Sequence, residues 1–199
     1  MNAPLHAMLA DEDLARADAY AVLARLLFVA PDADLLSTLR HSVRDGEGEL
    51  TTAWNALCAA ADDAKAIGDE YDHLFISISK PPVALYASWY LTGFLMEKPL
   101  ALLRDDLAAL GLSRSAGQND PEDHIAGELD VMRHLIMRQN GDQANFFKRH
   151  LQPWYADLCA ALTQAPGARF YRVLADFMRV FLNMERDYFS LQAAAGGVR

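Results

Sequence analysis

The sequence predicts an all-α protein. Apolar residues recur at three- and four-residue spacing almost throughout, no window combines sustained alternation with a hairpin dipeptide, and prolines such as Pro31, Pro81-Pro82 and Pro153 punctuate the periodic segments. With 52% hydrophobic residues among 199, the chain can bury a substantial core, organised as one compact domain of about eight helices.

A first helix is expected to start at one of Asp11, Glu12 and Asp13, to place Leu14, Ala17, Ala21, Ala24 and Phe28 on one face, and to end before Pro31. Asp32 then caps a short helix carrying Leu35, Leu36, Leu39 and Val43, and residues 45–48 form a loop. From Thr51 or Thr52 a longer helical pattern runs through Trp54, Leu57, Cys58 and Ala61, bends at Gly68 and continues to Tyr71, Leu74 and Phe75. Residues 76–83 hold Pro81-Pro82, which no helix interior accepts, so they connect and can wall a groove.

An apolar helix is expected over 85–96, followed by one that starts around Pro99 and stops at Leu110-Gly111. The polar stretch 112–119 reads as a mobile linker and the candidate subdomain boundary. Pro121 opens a helix to about Gln139 with Asp120 as its cap, Asn140-Gly141 closes it, and Asp142 starts another that is interrupted near Pro153. A last helix covers about 168–191, and the tail 193–199 is expected to fray.

Eighteen Lys and Arg against 27 Asp and Glu leave a net charge of −9, which opposes binding to nucleic-acid phosphates or anionic lipid and favours a basic partner. Cys58 and Cys159 lie in helical stretches and read as small buried hydrophobes, with neither a disulfide framework nor a zinc quartet. Residues 1–10 lack a basic leader and an apolar run of signal-peptide length, so the chain is expected to stay in the cytoplasm. The uncharged run 81–96 is shorter than the roughly 20 residues that span a bilayer, and reads as core. Walker, dinucleotide-binding and nucleophile-elbow patterns are all missing.

Segment 119–130 is the most distinctive. It gathers Asp120, Glu122 and Asp123 around a helix start, where free amides and the helix dipole favour negative charge, so helix-start physics alone accounts for the acids. The functional alternative is a carboxylate receptor beside His124 for a cationic peptide, since arginine pairs best with planar carboxylates. Asp123 and His124 are then expected to reach solvent or a cleft. Tyr71, Phe75, Tyr86, Trp89, Tyr90 and Phe94 flank the double proline and read mostly as core, with a peptide groove as the second reading. The competing enzyme reading is a metal-dependent helical bundle using Glu70, His73, His124 and Glu128, but Glu70-Tyr71-Asp72-His73 is the only Glu-x-x-His step in the chain, where a di-iron bundle needs two.

Glu70-Tyr71-x-x-Leu74-Phe75, the block from Tyr86-Ala87-Ser88 to Gly111, Pro121-Glu122-Asp123-His124-Ile125 and His150-Leu151-x-Pro153-Trp154 occur in that order. Together they resemble the TorD/DmsD/NarJ family of redox-enzyme maturation chaperones, over roughly residues 17–188. The resemblance implies a cytoplasmic all-helical chaperone, not an enzyme. It would bind the twin-arginine signal peptide and apo-form of a molybdopterin oxidoreductase, and hold it back from export until its cofactor is inserted. No cofactor of the chaperone's own is expected. Residues carried over to the peptide site are Tyr71, Leu74, Phe75, the segment near Tyr86, Pro121, Asp123 and His124, to which the aromatic and acidic clusters add Trp89 and Glu122. The chain departs from the family pattern at 76–85, and the client enzyme stays open.

Overall fold

The computed structural model describes residues 9–76, 80–114 and 120–196. Among them are ten α-helices: α1 (Asp11–Phe28), α2 (Ala33–Arg40), α3 (Glu49–Ala60), α4 (Ala64–Phe75), α5 (Ala87–Thr92), α6 (Lys98–Ala109), α7 (Ile125–Met137), α8 (Gln143–Phe146), α9 (Tyr155–Gln164) and α10 (Phe170–Gly196). A π-helical turn, Phe147–Leu151, follows α8, and no strand is present among the described residues. The expected all-α class holds, with more and shorter helices than the pattern suggested.

Helix α1 packs along α7 and also touches α10, so it is buried on two sides. Its buried set is therefore wider than one stripe and includes Tyr20, Leu23, Leu26 and Leu27, while Leu14 and Phe28, expected to face the core, are largely exposed. The three acids lie in the first turn, where they complement the dipole, and Ala10 rather than an Asp is the cap residue. Across α1 and α10 runs a buried ion pair: Arg16 donates to both Glu185 oxygens at 2.7 and 2.8 Å, and the Tyr20 hydroxyl donates to Glu185 Oε2 at 3.0 Å. The guanidinium also donates to Asp13 at 2.7 Å and to Gln143 Oε1 at 3.3 Å, and lies over the Tyr188 ring.

Asp32 caps α2 as expected, accepting the Leu35 amide at 2.7 Å. The single long helix expected after residue 51 is two helices, because Asp63 accepts the Ala66 amide at 3.0 Å and starts α4 afresh. Arg40 covers the exposed end of α3, donating to the Ala61 and Asp62 carbonyls, each at 2.9 Å. Gly68, the expected bend, lies inside a continuous α4. Helix α5 is only half the length expected, since Gly93 adopts the left-handed conformation at φ 83° and its amide closes the last turn on the Trp89 carbonyl. Leu110 and Gly111 end α6 as expected, with the Leu112 amide returning to the Leu107 carbonyl at 2.8 Å.

Leu112 packs against the core, and residues 115–119 of the expected linker lie outside the described residues. The C-terminal helix begins at Phe170 and continues to Gly196, so the tail expected to fray from 193 is helical as far as it is described. Its first turn is held by Glu70 of α4, whose carboxylate accepts the amides of Arg169, Phe170 and Tyr171 at 2.8 to 3.1 Å. Both cysteines are buried free thiols, and none of the described helices is long and apolar enough to cross a membrane.

Removing one partner of a buried pair leaves an uncompensated charge, so Glu185→Ala should lower unfolding stability by about 3–5 kcal/mol. Guanidinium unfolding monitored by helical circular dichroism measures this, and a loss within experimental error would show that Arg16 finds another acceptor or reaches water.

Candidate functional site

Two segments meet at the head of α7. The Pro81-Pro82 connection leads into an extended Tyr86, the turn after Pro121 leads through Asp123 into an extended His124, and the two runs pair as a single antiparallel bridge between Tyr86 and His124. The Ala87 amide donates to the Asp123 carbonyl at 2.9 Å and the Ile125 amide to the Leu85 carbonyl at 2.8 Å. A Cβ on residue 127 would come within 3.1 Å of the Glu122 carbonyl, a tight contact that turn 120–124 could accommodate only by shifting a few tenths of an ångström, and glycine avoids it.

His124, not Asp120, is the cap of α7: its Nδ1 accepts the Ala126 amide at 3.1 Å, which assigns the ring proton to Nε2. The ring stands edge-on to Tyr86 and Phe28, with centroids 5.1 and 6.2 Å away. Burial pushes its pKa down to about 4 against the opposing pull of Asp120 and Asp123, so the imidazole is neutral at physiological pH.

The expectation that Asp123 and His124 reach solvent or a cleft is overturned for Asp123, which is 1% exposed, whereas His124, at 8% exposure, lines a cleft as expected. Asp123 lies beneath the surface because the start of α5 crosses it. Its Oδ2 accepts both the amide and the hydroxyl of Ser88, while Oδ1 is buried without a partner. Glu128, one turn further along α7, is also buried and accepts the Trp154 indole N–H at 3.0 Å. Burial raises its pKa well above the usual carboxyl range, and nearby Asp123 adds to the rise, so Glu128 is neutral.

Above this lock lie two adjoining grooves that share Phe28, Asp120 and His124. The first, about 440 Å³, runs between α1 and α7 and includes Pro121 and Glu122. The second, about 350 Å³, is walled by Tyr71, Phe75, Tyr86 and Trp89 together with the double proline. Seven of the sequence-predicted residues thus come together: Tyr71, Phe75, Tyr86, Trp89, Pro121, Glu122 and His124. Leu74 does not, being fully buried in the core, and Asp123 does not, being the strut beneath.

Glu122 is held by Arg104 through two hydrogen bonds of 2.9 and 2.7 Å, which keep its carboxyl below the usual range. Asp130 pairs with Arg133 at 3.6 Å. Asp120 is exposed at the junction, and among the described residues its side chain bonds only the Tyr86 hydroxyl, at 3.0 Å. Burial and the neighbouring Asp120 raise the Tyr86 phenol, which stays protonated and donates.

Sequence reasoning missed Phe28 and Leu95 as groove residues; Phe28 was assigned to the core face of α1 and Leu95 carried no motif, whereas Lys80 belongs to the segment expected to wall a groove. The metal reading gains nothing from the geometry. Glu70 spends both oxygens on backbone amides, and no group of three or more His, Cys, Asp or Glu among the described residues could hold an ion.

Residues 43–160 match the family described as nitrate reductase delta subunit. The chaperone protein TorD of Vibrio cholerae is 26% identical over 89% of this chain and 83% of its own length, and that of Aeromonas salmonicida is 29% identical over 93% and 86%. A crystal structure from Archaeoglobus fulgidus, of a protein described as a redox enzyme maturation protein, superposes with a TM-score of 0.56 at 20% identity, covering 95% of this chain and 99% of the other. The described residues form an all-helical fold with two adjoining grooves, and the curated relatives that the chain matches are named chaperones. The chain belongs to the nitrate reductase delta subunit family, the TorD/NarJ group of maturation chaperones, and is not an enzyme.

Asp123→Ala should cost about 1–3 kcal/mol of stability, because the Ser88 amide and hydroxyl lose their buried acceptor. The two buried titrating groups give opposite slopes. Below pH 6.5 the unfolded chain protonates His124 whereas the folded chain refuses the proton until about pH 4, so acidification through that window destabilises. Above about pH 4.5 the unfolded chain releases the Glu128 proton that the folded chain retains, so this group lowers stability as pH rises. Glu128→Gln should therefore gain on the parent as pH increases. Thermal melts from pH 5 to 9 test this, and a constant difference between the two proteins would contradict a neutral Glu128.

Proposed function

We propose that this protein is a cytoplasmic chaperone that binds the twin-arginine signal peptide and the apo-form of a molybdopterin oxidoreductase, holding the precursor until its cofactor is inserted before export. The observation that carries the reading is the junction of the two grooves, where the exposed Asp120 carboxylate meets a wall of aromatic and proline side chains. An apolar peptide stretch supplies buried area, and an arginine next to it supplies register through a forked pair with the carboxylate. Membership of the family and the likeness to TorD chaperones support a redox enzyme as client.

Within this reading Asp120 replaces Asp123 as the arginine acceptor, because Asp123 is sealed off and Glu122 is already paired. Pro121 and His124 shape the junction, and Tyr71, Phe75, Tyr86 and Trp89 take the apolar stretch.

Calorimetric titration with a synthetic twin-arginine leader is the test. The parent should bind saturably, and Asp120→Asn should weaken binding roughly tenfold and flatten its salt dependence. A leader with both arginines replaced by glutamine should bind parent and variant equally. Failure of the parent to bind any twin-arginine leader would end the proposal.

A further inference from the structure

The run 81–96 carries no charged side chain, and it supplies much of the second groove through Pro81, Pro82, Tyr86, Trp89 and Leu95. Past α5 this apolar chain does not turn inward. Phe94 and Met96 are 68% and 71% exposed, and Leu95, itself exposed, is part of the groove lining. The turn is tied to α5: the Thr92 hydroxyl donates to the Ser88 carbonyl at 2.8 Å and accepts the Phe94 amide at 3.3 Å. Met96 sits at φ 57°, in the left-handed region that disfavours any residue with a Cβ. Three large apolar side chains displayed in water on a held turn, continuous with a groove, form a contact surface.

Charge along the wall gives that surface a direction. The Asp120 carboxylate is bound at Tyr86, where α5 begins. One turn further on, the Lys80 ammonium lies 4.1 Å above the Trp89 ring. Beyond it, residues 90–96 are uncharged. A guanidinium is attracted to the first position and repelled from the second, so the cationic part of a bound peptide is confined to the Asp120 end.

We infer that the leader lies in the groove with one polarity: arginines at Asp120, the apolar stretch passing Trp89 along α5, and its far end covered by Phe94, Leu95 and Met96. This rests on the leader-binding reading above and adds the turn 93–97 to the docking surface.

The experiment uses the full chain and twin-arginine leaders carrying a benzophenone either beside the arginines or at the far end of the apolar stretch. Irradiation followed by peptide mapping should place the far-end crosslink on residues 94–96 and the near-end crosslink on Tyr86 or residues 120–124. In parallel, Phe94→Ser combined with Met96→Ser removes only exposed apolar surface; it should weaken the intact leader roughly tenfold and leave a leader truncated after its arginines unaffected. Reversed crosslinks, or undiminished affinity in the double variant, would overturn the polarity while leader binding itself stands. A double variant that only dissolves a dimer of this chain, with leader affinity unchanged, would assign the turn to self-association and also overturn it. No binding of the unlabelled leader by the parent would remove the leader-binding reading, and the polarity with it.

Discussion

Asp123 accepts the Ser88 amide and hydroxyl through its side chain and the Ala87 amide through its carbonyl, so the start of α5 and the head of α7 are pinned at one residue. Everything in the groove inherits its position from that pin. Tyr86 precedes Ala87 and therefore faces His124 across the bridge; its hydroxyl then reaches Asp120. Burying a carboxylate is costly, and a charge-assisted bond from a hydroxyl plus one from an amide offset much of the cost. A second buried ion next to it would undo the gain. Glu128 avoids this by staying protonated while it anchors the Trp154 indole, whose ring stacks on Tyr90 of α5 from the other side.

The chain is strongly acidic, yet the site owes little to total charge. Two of the three acids that line the grooves are already occupied, Glu122 by Arg104 and Asp130 by Arg133. Such exposed pairs add little stability individually, but each removes a carboxylate that a cationic peptide would otherwise find. Asp120 is left as the acceptor at the groove junction, and the aromatic wall beside it lowers the local dielectric in which a guanidinium would bind. Recognition of this kind is local geometry, not the field of a −9 protein.

Local chemistry was readable from the sequence and remote chemistry was not. Asp32 as a cap, Pro99 in a first turn and Gly111 past a helix end follow from neighbours within a few residues, and each stands where the residue types place it. Seven of the groove residues were also legible, through aromatic clustering and through the family resemblance. The role of Glu70 was not, because the amides it caps belong to a helix almost a hundred residues later. Asp123 failed for the same reason. An acid at a helix start normally faces water, and only the crossing of residues 85–88 overhead turns it into a buried strut. Leu14 and Phe28 were misplaced because the buried face of α1 centres on Tyr20, Leu23 and Leu27, which leaves those two residues of its first and last turns at the margin.

The groove is stiff at one end and loosely bounded at the other. Near Asp120 the backbone is held by the Tyr86–His124 bridge, the His124 cap, the Asp123 strut and the close approach of Gly127 to the Glu122 carbonyl. At the far end the six residues of α5 stop at Gly93, and among the described residues the apolar turn that follows is tied through the Phe94 amide on the Thr92 hydroxyl and the Gly93 amide on the Trp89 carbonyl. A leader with a fixed pair of arginines and a variable apolar stretch presents the same asymmetry. Rigid positioning favours the forked, orientation-dependent contact, for which a small displacement forfeits most of the bond. Dispersion and area burial are non-directional and survive rearrangement, so in the proposed reading the exposed Phe94, Leu95 and Met96 would accept stretches of different shape without disturbing the arginine end.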